Sequence, residues 1–340
     1  MNNTPVFLMP VKISGDEADL RFFRASVESI KNQTDTDWVL VMVEDFSNDK
    51  RVYDVIDEMK EDLKEKLHVI YSDKNYGTGA ARNKGILYAK EIGAPFILFN
   101  DSDDISDPRR LELVRKAFES DETVNVVYTS FDIINENDNI VPRESIALPV
   151  LEIIDGHQVD IVDGGNAFVN IAIKKKYTNL TSCTAVRTSL AAEELFPNAS
   201  VSEDCHTWLR YGAHSGKFKF IKEIKGRYRI CSGTQSRSRS NNNDFYEKLF
   251  KMDSDGFEQA LKIAEKYDTL GGMDENELRT AFHVRLALNL LNGGLKNLCK
   301  KSLAIALKIS KERTLYYVDL LPCDEKTKSL IKEMAVSLIP

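Results

Sequence analysis

Three carboxylates follow one short apolar run, in the segment Phe96-Ile97-Leu98-Phe99-Asn100-Asp101-Ser102-Asp103-Asp104. Hard oxygens at this spacing suit Mg²⁺ or Mn²⁺, and a cation held by one or two protein carboxylates keeps positions for substrate phosphates. Turn chemistry is the structural alternative, since Asp107-Pro108 has the residue types of a helix N-cap and a first helical position. That alternative leaves the three crowded carboxylates, which repel each other, unexplained. The segment therefore predicts metal-assisted chemistry on a phosphate-linked substrate.

Short apolar runs alternate with helical patterns over the first 130 residues. Strands are predicted at 6–11, 38–43, 68–71, 96–99 and 124–128. Apolar stripes with helical spacing lie at Leu20–Ile30, Val52–Leu67 and Leu111–Phe118. Alternating strands and helices predict an α/β fold with a largely parallel sheet that is covered on both faces.

Ligands of such sheets bind beyond the carboxyl ends of the strands. Acidic residues follow two predicted strands there, Glu44-Asp45 and Asp101–Asp104. Neither strand precedes the glycine pattern of a dinucleotide-binding turn or of a phosphate-binding loop. We therefore expect two acidic groups at one edge of the sheet, in a site that is neither a dinucleotide-binding turn nor a phosphate-binding loop.

The rest of the chain divides into an irregular part and a helical part. Residues 130–180 lack clean periodicity and are predicted to form strands and a long variable loop that shapes a substrate pocket. From about residue 241 the pattern is helical, with an Asn292-Gly293-Gly294 break. We expect a catalytic domain over 1–240 and an α-helical domain over 241–340.

Charge, apolar runs and cysteine spacing limit the binding partners and the cellular compartment that can be expected. A net charge of -7 argues against nucleic-acid binding through an overall basic surface, although local basic patches leave that partner open. The first residues lack the pattern of a signal peptide, and no apolar run reaches 18 residues. The five cysteines are scattered, which fits neither a zinc site nor a disulfide framework. We expect a cytoplasmic protein, with peripheral membrane contact as an option.

Several ordered segments resemble those of the family 2 glycosyltransferases, which are inverting enzymes of the GT-A fold. They are Val6–Val11, Val27–Thr34, Val43–Asp49, Asn75–Gly85, Asp101–Asp104, Ser202–Arg210 and Gly226–Ser236. The resemblance covers residues 5–240 and implies a Rossmann-like GT-A domain with a mostly parallel central sheet, followed by the helical domain. It also implies metal-dependent, inverting transfer of a sugar from a nucleotide-sugar donor, most simply UDP-linked.

The resemblance implies roles for individual residues. Asp103, with Asp101, would hold Mn²⁺ or Mg²⁺, and Asp204 would be the catalytic base that deprotonates the acceptor. Contacts to the nucleotide donor are expected from Pro10, Val11, Glu44, Asp45, Arg82, Asp101, Ser102 and Arg229. The expected acceptor is a glycan, a lipid-linked glycan or a peptide, and the C-terminal helices could form a homodimer.

The chain departs from the family pattern at three positions. Glu44 and Phe46 replace the usual Asp and Gly, which predicts an altered nucleoside pocket. Cys231 stands where the family often has a histidine, and a neutral thiol is a poor ligand for Mg²⁺ or Mn²⁺. The Gln-x-x-Arg-Trp motif of processive members is missing from the sequence, so single transfers are expected.

A basic stretch runs from Lys217 to Arg239. It is either a solvated strand face or a patch for the donor diphosphate, an anionic acceptor or a lipid headgroup.

Two other functions remain open from the sequence. A haloacid-dehalogenase-like phosphatase also places Asp-x-Asp after an apolar strand, and would be phosphorylated on Asp101. A non-catalytic nucleotide-sugar-binding scaffold would keep the fold without turnover.

Overall fold

The computed structural model describes residues 4–174, 179–231 and 243–339. A seven-stranded sheet has the order β3-β2-β1-β4-β6-β5-β7. Its strands are β1 (Val6–Val11), β2 (Val39–Glu44), β3 (Leu67–Tyr71), β4 (Phe96–Phe99), β5 (Val124–Ile134), β6 (Thr184–Arg187) and β7 (Lys217–Arg229). Strand β6 is antiparallel to β4 and β5, and the other pairs are parallel. The predicted α/β fold with a mostly parallel sheet is confirmed.

Helices cover the sheet and continue beyond it. They are α1 (Glu17–Lys31), α2 (Lys50–Leu63), α3 (Thr78–Glu91), α4 (Arg110–Ser120), α5 (Leu148–Val159), α6 (Ala167–Val169), α7 (Thr188–Glu193), α8 (Glu203–Ala213), α9 (Asn243–Tyr267), α10 (Glu275–Asn292), α11 (Lys296–Ile309), α12 (Lys311–Asp319) and α13 (Glu325–Val336). Within the described ranges, every helix is too short or too polar to span a lipid bilayer.

Two predicted helix boundaries are wrong. Helix α2 ends at Leu63, because Lys64 has a φ of 51° and starts a short 3-10 turn, so that Leu67 begins β3. Helix α4 begins at Arg110, and Asp107 Oδ1 instead accepts the backbone N–H of Arg109 (2.9 Å) in the preceding turn.

The predicted absence of a helix from the irregular segment is also wrong, because α5 lies there. Val150, Ile153 and Ile154 pack on the buried cluster of Phe131, Ile133 and Cys183. Their spacing is one helical face, which the turn residues around it obscure.

The helices after β7 share an apolar core with the sheet. The rings of Phe168 and Phe257 stack at 5.9 Å between centroids, and those of Phe257 and Phe282 stack at 4.1 Å. Arg285 Nε donates to the carbonyl oxygen of Ala172 (2.7 Å). One continuous cluster thus joins the sheet to α9–α13, while the division at residue 240 stays a prediction.

Candidate functional site

A cleft of about 340 Å³ opens where β1, β2 and β4 end. Its lining combines four carboxylates with small and apolar side chains. The lining residues are Pro10, Val11, Lys12, Ile13, Asp19, Phe22, Asp45, Asn75, Gly77, Thr78, Ala81, Asp101, Ser102 and Asp103. The two predicted acidic groups therefore do meet on one rim, as the parallel strand order requires.

Asp45 fixes one end of the cleft. Its Oδ2 accepts the backbone N–H groups of Tyr76 (3.0 Å) and Gly77 (2.7 Å), and its Oδ1 accepts that of Tyr76 (3.1 Å). The carboxylate is nearly inaccessible to solvent but still lines the cleft. It therefore holds the loop before α3 in place while presenting acceptor oxygen to the cavity.

Glu44 has a different task from its neighbour. Its buried carboxylate accepts the backbone N–H groups of Phe46 and Ser47. It is not among the cleft-lining residues. Glu44 thus shapes the turn after β2.

Arg82 joins the end of β4 to the beginning of α8. Its Nη2 lies 2.9 Å from Asp101 Oδ1 and 3.2 Å from Asp101 Oδ2, and its Nη1 lies 3.2 Å from Glu203 Oε1. The side chain of Arg82 is only 1% exposed. The guanidinium does not line the cleft and acts by fixing Asp101, which does line it, and Glu203, which does not.

Asp103 and Asp104 are adjacent but differ in environment. Asp103 is partly exposed and lines the cleft. Asp104 is buried, and its Oδ1 accepts the backbone N–H of Arg229 (2.9 Å). Burial, and then the charges of Asp103 and Asp101, hold the pKa of Asp104 well above its usual range. Asp104 therefore anchors the loop, and Asp103 is the carboxylate that the loop presents.

Arg229 closes the back of this loop. Its Nε donates to the carbonyl oxygen of Asp103 (2.9 Å), and its Nη1 donates to the carbonyl oxygen of Asn135 (2.8 Å) and pairs with Asp138 (2.6 Å). The guanidinium also lies 4.2 Å from the ring centroid of Phe22. Arg229 does not line the cleft, so its contacts support the residues that do.

Asp204 and Cys231 are not among the residues that line the cleft. Asp204 is partly exposed in the first turn of α8, next to Glu203, and is outside the cleft lining. Cys231 follows β7, and burial raises the pKa of its thiol; the charge of Arg229 opposes this shift, and the charge of Glu136 adds to it. A neutral thiol is consequently favoured at this position.

The basic stretch is largely paired with acidic side chains. Ion pairs join Lys217 to Asp121 (2.8 Å), Lys219 to Asp163 (3.0 Å) and Lys225 to Asp132 (2.8 Å). These contacts match the solvated strand face, the first of the two interpretations. The arginines at 237 and 239 lie outside the described residues.

A second acidic group lies apart from the cleft. Ligand atoms of Glu193, Glu194 and His214 lie within 4.8 Å of one another. Glu194 already contacts Arg210 (2.8 Å) and His214 (3.1 Å). Although burial raises it, these two neighbours hold the pKa of Glu194 below its usual range. The charge of Glu194 is thus balanced by the protein itself.

Sequence reasoning missed several cleft residues, namely Asp19, Phe22, Asn75 and Thr78. Asp19 and Phe22 belong to the first turns of α1, directly after β1, and their position beyond a strand end was the available signal. Asn75 and Thr78 lie inside the segment 75–85, from which only Arg82 was singled out.

Comparisons with known proteins agree with this geometry. Residues 17–181 match the model of glycosyl transferase family 2. The chain is 26% identical over 227 residues to an uncharacterized glycosyltransferase of Methanocaldococcus jannaschii, and the alignment covers 66% of this chain and 72% of that relative.

Two solved structures share the fold. Residues 1–349 of S. aureus TarS, in complex with UDP-GlcNAc, superpose with a TM-score of 0.64 at 15% identity, covering 98% of this chain and 88% of that one. The mannosyltransferase PcManGT of Pyrobaculum calidifontis, in complex with GDP-Man and Mn²⁺, gives a TM-score of 0.52 at 14% identity, covering 99% and 85%. The family match and the shared GT-A fold exclude the haloacid-dehalogenase-like phosphatase, which was the alternative enzyme. Residues 17–181 form a glycosyltransferase family 2 domain, and the chain is a glycosyltransferase of the GT-A fold with extra helices after its sheet.

Proposed function

We propose that this glycosyltransferase moves one sugar from a UDP-linked donor to an acceptor nucleophile, with inversion and with a divalent cation. The charge of the cleft carries the proposal. Among the described residues, four carboxylates line the cleft (Asp19, Asp45, Asp101 and Asp103) and one ammonium group does (Lys12). A diphosphate entering such a site meets net negative charge, so a cation is needed to hold it.

The residues at the end of β4 fit Mn²⁺ or Mg²⁺. Both cations prefer carboxylate oxygens and keep positions for phosphate and water. Asp103 is partly exposed and lines the cleft, so we assign it the main ligand role, and Asp101, which also lines the cleft, a supporting one. A bound cation would neutralise the charge that develops on the leaving diphosphate. The Mn²⁺ complex of PcManGT, which shares the fold, supports a divalent cation.

Asp45 suits a uracil base. Oδ2 already accepts two backbone N–H groups, whereas Oδ1 accepts one, and a carboxylate oxygen can accept two. Oδ1 can therefore take the N3–H of uracil, a donor that cytosine lacks. Pro10, Val11 and Ser102 line the same cleft and would contact the donor. The UDP-GlcNAc complex of TarS supports a uridine nucleotide.

Asp204 is the proposed general base. The pair of Glu203 with Arg82 ties the first turn of α8, which carries Asp204, to Asp101, and this link supports the assignment. The carboxylate of Asp204 would take the proton of the acceptor hydroxyl as that oxygen attacks the sugar carbon from the side opposite the diphosphate. Attack from that side inverts the anomeric centre. The acceptor is a glycan, a lipid-linked glycan or a peptide.

Release of UDP from a panel of UDP-sugars and acceptors, with Mn²⁺ or Mg²⁺, tests the proposal. Asp204→Asn should lower turnover by about a hundredfold or more while leaving UDP affinity unchanged, because a general base acts only in the chemical step. Asp255→Asn is the control, since this carboxylate contacts α8 through His206 (3.0 Å). Equal turnover in wild type and Asp204→Asn would refute the base assignment. UDP binding without any turnover in the wild type would favour the scaffold.

A further inference from the structure

The residue before α8 connects the proposed base to the helices after the sheet. Ser202 is the N-cap of α8, and Asp204 follows in the first turn. An N-cap residue usually has an extended backbone and a side-chain oxygen that accepts an N–H group of its own helix. Ser202 has a φ of 60°, and within the described residues its hydroxyl makes no such capping bond. The hydroxyl instead donates to Asp253 Oδ1 in α9 (2.5 Å), so this serine serves a contact between two helices.

Asp253 makes this contact from inside the protein, where it is 1% exposed. A buried carboxylate is costly unless hydrogen-bond donors contact it, so the hydroxyl of Ser202 offsets part of that cost. The bond is charge-assisted and largely shielded from water, and both properties strengthen it. Asp253 and Ser202 therefore form a firm link between α9 and the start of α8.

Close packing of α8 on α9 keeps this link in register. Gly256 lies so near α8 that a Cβ atom on it would be 2.8 Å from the Cα of His206. Gly256 follows Asp253 by about one helical turn, and His206 follows Ser202 by about one turn. Contacts one turn apart on each helix thus fix α9 against the beginning of α8.

We propose that Asp253 is a positioning residue for the general base, because through Ser202 it fixes the backbone that carries Asp204. This inference rests on the proposed function, in which Asp204 takes the proton of the acceptor. Arg82 already holds Glu203 from the side of the sheet, so Asp253 supplies a second support from the opposite side of the same turn. A base must lie within hydrogen-bond distance of its proton, and a displacement of about 1 Å can cost about a hundredfold in rate. The helices after the sheet thereby contribute to the chemical step.

Separate measurements of kcat and of UDP affinity on the full chain test this role. Ser202→Ala should lower kcat by at least about tenfold and leave both the KM for the donor and the dissociation constant of UDP with Mn²⁺ unchanged, because the base acts only in the chemical step. Asp253→Leu should have the same effect. Asp253→Asn should retain most of the wild-type kcat, since its amide oxygen can still accept the Ser202 hydroxyl. The double variant of Ser202→Ala and Asp253→Leu should lose no more than either single one, because both remove the same bond.

Ser302→Ala is the matched control. Its hydroxyl is also buried and donates to the carbonyl oxygen of His283 (2.8 Å), between α10 and α11. The control should lose stability in urea denaturation and keep the wild-type kcat, which separates positioning from stability. A wild-type kcat in Ser202→Ala, or an equal loss of kcat in Ser302→Ala, would overturn this inference alone. Wild-type turnover in Asp204→Asn would overturn it together with the proposed base.

Discussion

Arg82 and Glu203 are 121 residues apart in the sequence, yet Nη1 of one lies 3.2 Å from Oε1 of the other. The same guanidinium contacts Asp101 (2.9 Å), so one buried cation links the loop after β4 to the first turn of α8. These two elements carry the proposed metal ligands and the proposed base. Their relative position therefore depends on Arg82.

Replacing Arg82 by methionine should destabilise the fold. The variant leaves Asp101 and Glu203 close together without their shared cation, and breaking a buried ion pair costs about 3 kcal/mol in the free energy of unfolding. Urea denaturation measures the loss. Arg51→Met is the control, because its pair with Asp49 (2.6 Å) is on the surface with Arg51 61% exposed, and no measurable change is expected. Equal stability of both variants would mean that Arg82 does not organise the site.

The stacked rings of Phe168, Phe257 and Phe282 predict that the sheet and the C-terminal helices unfold together. Phe257→Ala should lower the free energy of unfolding by about 4 kcal/mol, because it empties a fully buried site. The transition monitored through the fluorescence of Trp38 and Trp208, which both lie outside α9–α13, should shift with the loss of helical circular dichroism. Tyr316→Ala removes an exposed ring (57%) and should leave both unchanged. A helical transition that moves without the tryptophan signal would show two independent units.

Because His283 is buried, we expect the fold to lose stability in mild acid. Burial, and then the charges of Arg279 and Arg285, lower the pKa of His283 to about 4. The unfolded chain, with a pKa near 6.5, takes up this proton first as the pH falls, so folding loses about 3 kcal/mol between pH 6.5 and pH 4.

The His283→Gln variant isolates this contribution. It cannot take up the proton, so its free energy of unfolding should fall less steeply than that of the wild type over the same pH range. Urea denaturation at several pH values gives both curves. Parallel curves would show that His283 is protonated equally in the folded and unfolded states.

The positions of the acidic groups could be predicted because they depend on strand order. The observed bounds of β1 and β4 are those that the apolar runs predict, and parallel strands bring their carboxyl ends to one edge. Contacts within the site could not be predicted in the same way. The pairing of Arg82 with Glu203 depends on the packing of α3 against later elements, which one-dimensional patterns do not encode.

Adjacent acidic residues of one motif make different contacts. Glu44 and Asp45 are adjacent acidic residues, but successive side chains of a strand point to opposite faces, so one accepts from its own turn and the other faces the cleft. Asp103 and Asp104 lie in the turn after β4, where Asp103 lines the cleft and Asp104 is buried. Sequence identified the acidic groups, and the backbone decides which member of each meets the ligand.

Titration of UDP, GDP, dTDP and CMP into the protein, with Mn²⁺ or with a chelator, tests the central claim most directly. We predict that UDP binds when Mn²⁺ is present, that the chelator abolishes binding, and that Asp103→Asn loses it. Asp107→Asn, a carboxamide replacement four residues later in the chain and outside the cleft, should bind as the wild type does. UDP binding that survives both the chelator and Asp103→Asn would contradict a metal-dependent donor site at the end of β4.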